Sequence, residues 1–154
     1  MDFKNRRELV SAIMRVVVGC ILIYSGFIKI SEPLENFYNA ILGYEIVSGD
    51  IALISAQVIP WIEVYLGVLL VFGLFNKLIS ILSILLFLGF ELLLAQAMIR
   101  GLEVENCGCF GATRSNPIGV EFALNLVWLS FLFLGYKFSY RFSLDRLIES
   151  KFSK

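Results

Sequence analysis

Cys107-Gly108-Cys109-Phe110-Gly111 places two of the chain's three cysteines one residue apart, across a glycine with no side chain to obstruct their approach. Thiols this close interconvert between dithiol and disulfide. A Cys-X-Cys ring is smaller than a Cys-X-X-Cys ring, and a strained disulfide is more readily reduced. Gly108 relieves part of that strain through backbone angles that other residues avoid. Gly111 lets the segment bend back, and Phe110 gives it an apolar pin. Three uses fit such a pair: exchange of a disulfide with another protein, a permanent local staple, or two free thiols that pack. A metal centre does not fit, because two thiolates in a chain without histidine fall short of a closed zinc tetrahedron. Soft-ligand copper binding would need Met14 or Met98, and nothing in the spacing brings them in.

The other candidates are polar groups set inside apolar runs: Arg15, Lys29, Glu63, Glu91, Glu121 and Asn125. Charges within a membrane span are expensive and mark either function or specific pairing. At helical spacing Pro60, Glu63 and Gly67 share one face, as do Glu121 and Asn125. One reading is a polar pocket or proton path beneath the cysteines. The other is a set of interhelical salt bridges that fix which helices touch. The pairing reading is preferred for Arg15 and Glu63, whereas both stand for Glu91 and Glu121, which lie in the half nearer the cysteines. Cys20, beside Gly19, reads as an inert thiol packed between helices. The absence of histidine also removes the commonest general base.

The elements that must position these residues are legible from composition. Of 154 residues, 58% are hydrophobic and 17% charged, and the mean hydropathy is +0.82. A soluble domain is about half apolar and about a quarter charged, so the balance points to a membrane protein. Fourteen Phe, six Tyr and two Trp suit helix packing and interfacial belts, and a net charge of zero leaves no nucleic-acid footprint. A span takes roughly 20 residues as a helix. Four stretches qualify, about 9–28, 51–75, 78–99 and 118–136. The first follows Lys4, Arg6 and Arg7, as a signal peptide would, but Lys29 arrives with no small-residue cleavage site, so it reads as a retained helix. The expectation is one membrane domain, residues 1–154, folded as an all-α four-helix bundle.

Lysine and arginine set its orientation. With the N-terminus cytoplasmic, Lys4, Arg6, Arg7, Lys77, Lys137, Arg141, Arg146, Lys151 and Lys154 lie inside, against Lys29, Arg100 and Arg114 outside. Both termini are therefore expected in the cytoplasm. The cysteine loop then faces out, which in a bacterial inner membrane means the periplasm, where disulfides persist. Leu34 to Leu42 reads as a short interfacial helix, and Phe75-Asn76-Lys77 as a tight turn that makes its two flanking spans antiparallel neighbours. The tail, 139–154, reads as a basic amphipathic segment. Gly19 and Gly26, a heptad apart, invite a close neighbour, as do Gly67 and Gly73.

The run Arg15-x3-Gly19-x6-Gly26-x2-Lys29, followed by Glu63-x3-Gly67-x5-Gly73, resembles the first half of the DoxX family of four-helix membrane proteins. The CGCFG segment before the last span resembles the MauE branch. The resemblance implies a protein that acts beside a thioredoxin-like partner in forming or sorting disulfides of a periplasmic protein. The bundle is also similar to that of DsbB and VKOR, which couple Cys-X-X-Cys to quinone, so quinone is the one cofactor the resemblance raises. This chain departs from them in having no Cys-X-X-Cys and no second loop pair. The expected chemistry is thiol–disulfide exchange at Cys107 and Cys109, supported by Gly108, Phe110 and Gly111. The alternatives are a non-enzymatic anchor or assembly subunit with a Cys107–Cys109 staple, and a membrane protein that binds quinone or a small solute.

Overall fold

The computed structural model describes residues 3–102, 108 and 116–138, and every regular element among them is an α-helix. They are α1 (Phe3–Ser31), α2 (Leu34–Gly43), α3 (Asp50–Phe72), α4 (Asn76–Arg100) and α5 (Ile118–Phe138). Four of the five, all but α2, are long and apolar enough to cross a membrane, with mean hydropathy between 1.8 and 2.5 over their spans. Helix is the form that satisfies every backbone hydrogen bond within its own segment, which hydrocarbon demands. Pro60, inside α3, leaves one carbonyl without its usual helical donor, and α3 continues through it. The short helix expected at 34–42 is α2, which starts directly after Pro33.

Packing is decided by small residues. α1 lies most extensively against α3, α4 against α5, and α1 also against α5. Between α1 and α3 the backbones nearly touch. A Cβ added to Gly26 would fall 2.5 Å from the Pro60 carbonyl oxygen, and one added to Gly67 would fall 2.6 Å from that of Gly19. Close approach of this kind replaces the hydrophobic drive that lipid does not provide. Around it sit Val18, Leu22, Leu66, Leu70, Ile79, Phe87 and Leu132 as the central core.

Two expectations are corrected here. The tight turn expected at Phe75-Asn76-Lys77 falls at residues 73–75, with Asn76 and Lys77 already in α4, and α3 and α4 stay in contact while diverging beyond it. Between them runs an open groove of about 1080 Å³ lined by Trp61, Tyr65, Leu82 and Leu85. The physical reason is that the glycine face of α3 is already committed to α1. Cys20 is exposed on α1 instead of packed between helices. One residue on from Gly19, it is rotated off the contact face.

The ends of the bundle are distinct. At one end Ser11 Oγ donates to the carbonyls of Leu134 (3.0 Å) and Gly135 (3.3 Å), tying the start of α1 to the end of α5. The opposite end gathers α2, Tyr44 packed with Leu94 and Ala97, and Gly108. Cys107, Cys109, Phe110, Gly111 and the predicted tail 139–154 lie outside the described residues.

Gly26→Ala is expected to wedge α1 from α3 and cost about 1–3 kcal/mol, the usual range for overpacking. Gly89→Ala, where an added Cβ meets nothing within 4 Å, should leave stability unchanged or slightly raised. Thermal unfolding of both variants in one detergent checks the contrast.

Candidate functional site

Lys29 lies in the last turn of α1, where the helix dipole favours a cation. Its side chain turns into the bundle and is 4% exposed as a residue, facing Glu63 of α3 at 1%. Lys29 Nζ donates to both carboxylate oxygens of Glu63, at 2.6 and 2.8 Å, and to Ser25 Oγ at 3.0 Å. Ser25 Oγ in turn donates to Glu63 Oε2 at 3.2 Å. The ammonium also lies 5.0 Å from the ring centre of Phe37 and 5.3 Å from that of Phe90. Two aromatic faces on a desolvated cation add cation–π attraction. All three protons of the ammonium are thereby engaged, and the charge is neutralised where it stands.

Phe37 joins this pair to the cysteine segment. Gly108 is buried with φ +71°, and a Cβ there would meet Ala40 Cβ at 3.0 Å and the Phe37 ring at 3.2 Å. Only glycine takes that backbone angle without penalty while sitting flush on α2. The residue between the two cysteines is therefore seated on the bundle, one ring away from Lys29. Directly beneath it is an apolar cavity of about 180 Å³, walled by Phe37, Tyr44, Ile59, Phe90 and Leu93.

On the other side of the ion pair, α5 brings Glu121, Asn125 and Trp128 toward Ser25 and Glu63 around a small cavity. Glu121 is buried and accepts a hydrogen bond from the Asn116 amide at 2.6 Å. Glu91 of α4 faces Asn125, its two carboxylate oxygens sheltered without a hydrogen bond of ordinary geometry. The sequence-selected residues thus divide. Lys29, Glu63, Glu121 and Asn125 come together, and Glu91 lies alongside.

Arg15 does not join them. It is buried at the far end, where its guanidinium donates to Asn76 Oδ1 at 3.2 Å and lies against Gly73. There it clamps the α3–α4 turn. Arg100, which flanks the cysteine segment, is held in a surface ion pair with Glu45 at 2.6 Å. Sequence reasoning missed Ser25, Phe37, Phe90 and Trp128. A hydroxyl four residues before Lys29 was the available signal for Ser25, whereas nothing distinguished the aromatic residues from ordinary packing.

The sequence model of one family, described as methylamine utilisation protein MauE, matches residues 7–138. No curated protein and no solved structure matches the chain.

The buried pair yields a sharp stability test. Lys29→Met strands the Glu63 carboxylate and should cost roughly 3–5 kcal/mol, whereas Lys29→Met combined with Glu63→Leu should recover most of that loss. Denaturant titration of the two variants in mixed micelles reads the difference. A double variant no better than the single would show that the charges themselves are required for folding.

Proposed function

The chain belongs to the MauE family, and from that premise we propose that it is a membrane redox accessory protein whose Cys107 and Cys109 exchange a disulfide with a thioredoxin-like partner. It sits in the bacterial inner membrane with both termini cytoplasmic and the Gly108 end of the bundle in the periplasm. The observation that carries the reading is the seating of Gly108. Its left-handed backbone and its contact with Phe37 and Ala40 fix the middle of the motif to the bundle. That seat lies at the end of the molecule opposite the one where the start of α1 meets the end of α5.

The step is a displacement at sulfur. A thiolate of the pair attacks the partner's disulfide, forming a mixed disulfide and expelling one partner thiolate. The second cysteine then attacks the mixed disulfide. The Cys107–Cys109 bond forms, and the partner leaves with both its sulfurs reduced and protonated. Run in reverse, the same sequence oxidises a partner dithiol. Arg114 supplies positive charge within the segment and Glu105 opposes it, while Arg100 is already occupied by Glu45.

A second reading draws on the apolar cavity beneath Gly108. At about 180 Å³ it exceeds the roughly 150 Å³ apolar cavity that holds benzene, so a ring such as a quinone head fits there. In that case the dithiol would pass two electrons and two protons to the ring and become a disulfide.

Acid-trapped cells alkylated with a mass-tagged maleimide separate the readings. Exchange expects the pair to titrate reversibly with imposed potential and to be reached by an impermeant reagent, and Cys107→Ser or Cys109→Ser should abolish exchange while leaving membrane levels unchanged. A pair that stays oxidised at every potential, with abundance falling in the Ser variants, would overturn exchange in favour of a stapled assembly subunit. Oxidation of the purified dithiol by added quinone, with no partner protein, would favour the second reading. Gly108→Val should slow either reaction, because a branched side chain cannot hold φ +71° against Phe37.

A further inference from the structure

Between the Lys29–Glu63 pair and α5 lies a cavity of about 20 Å³. Its walls are mainly apolar, Ile21 and Leu22 from α1 with Phe87 and Phe90 from α4, but five side chains with polar atoms reach it: Ser25 from α1, Glu63 from α3, and Glu121, Asn125 and Trp128 from α5. Asn125 is only 7% exposed; its Nδ2 meets the Glu91 carboxylate short of ordinary hydrogen-bond geometry, and the buried Trp128 Nε1 has no acceptor. In hydrocarbon an unsatisfied donor costs several kcal/mol, more than in a soluble core, because lipid offers no alternative partner. Asn125 and Trp128 both line this one cavity, where a single acceptor would serve the two donors.

We propose that this cavity is an internal water site that joins α5 to the α1–α3 ion pair. The volume is sufficient for a water, for which about 10–15 Å³ suffices. The donor and acceptor inventory closes around a single molecule. Its two lone pairs receive Asn125 Nδ2–H and Trp128 Nε1–H, and its two hydrogens go to the carboxylates of Glu63 and Glu121. A metal cation is a poorer occupant. Asn125 and Trp128 offer the cavity N–H donors, and the Lys29 ammonium already neutralises Glu63. An apolar occupant would leave both donors unpaired.

The site makes one continuous polar thread through the bundle. It runs from Lys29 to Glu63, through the water to Glu121, and on to the exposed Asn116 at the foot of α5. The charged and titratable groups facing it are Lys29 from α1, Glu63 from α3, Glu121 from α5 and, beyond Asn125, Glu91 from α4. Hydrophobic contact positions α5 loosely, whereas a four-coordinate water positions it in register. The inference is independent of whether the cysteines exchange disulfides.

The chain has two tryptophans, so the test is direct. Trp61 faces the open groove between α3 and α4 and serves as the internal control. The full chain, labelled with ¹⁵N at the indole nitrogens, is reconstituted in lipid bilayers, and magnetisation is transferred from water protons to the indoles by solid-state NMR. Transfer to Trp128 and none to Trp61 is the expected result, with loss of the Trp128 signal in Asn125→Leu. Ser25→Val, which fills the cavity from the α1 side, should produce the same loss, so the result does not hang on one variant folding. Absence of transfer to Trp128 in the folded wild type, or transfer that survives both substitutions undiminished, overturns the site.

Discussion

A lysine and a glutamate paired inside a membrane impose more order on this protein than any apolar contact does. Apolar side chains interact with lipid about as well as with one another, so the central core of Val18, Leu22, Leu66 and Leu70 fills space without dictating register. The Lys29–Glu63 pair does dictate it. Its length is fixed at 2.6 Å, and a slip of one residue along either helix would strand a charge. The glycines then become necessary, because two side chains can reach each other so closely only where Gly19, Gly26 and Gly67 bring the two backbones together. Charge pairing and glycine packing are thus one constraint seen at two depths of the same interface.

From that fixed interface the Gly108 end of the molecule is built by contact. Phe37 of α2 lies over the Lys29 ammonium and under Gly108 at once. An aromatic ring serves both contacts because its face is electron-rich toward the cation while its edge remains apolar toward the backbone. Gly108 therefore rests on a support that itself rests on the ion pair. α4 and α5 belong to this arrangement less tightly. They pack on each other and meet the α1–α3 unit through α5, which leaves the groove at Trp61 and Tyr65 open to lipid.

The four spans were legible in the sequence because length and hydropathy alone decide them. So were the glycine faces, whose heptad spacing survives into the contact between α1 and α3. The pairing of charges was not. Arg15 and Lys29 sit in the same helix and either could face Glu63 on composition, since the choice turns on height within the bundle, which packing sets. Lys29 took Glu63, and Arg15 found Asn76 at the other end. Cys20 shows the same limit in miniature, because adjacency to Gly19 in sequence means a rotation of about 100° on a helix. The tight turn at residues 73–75 likewise announced neighbours but could not announce how far they would diverge. Of the cysteine motif only Gly108 lies among the described residues, and its role as a seat depends on an α2 contact with no local sequence signature.

The ion pair also has an order in time. Lys29 and Glu63 are 34 residues apart, and synthesis delivers the first long before the second. While α1 is alone in the bilayer its ammonium has no counter-charge, and a lysine in the last turn of the helix can reach the headgroups along its own flexible stem. Arrival of α3 removes the need for that reach and draws the charge inward. The first span is thus held in a provisional position until the second is inserted, and a nascent chain halted between them carries a cation that the membrane, not the protein, must accommodate.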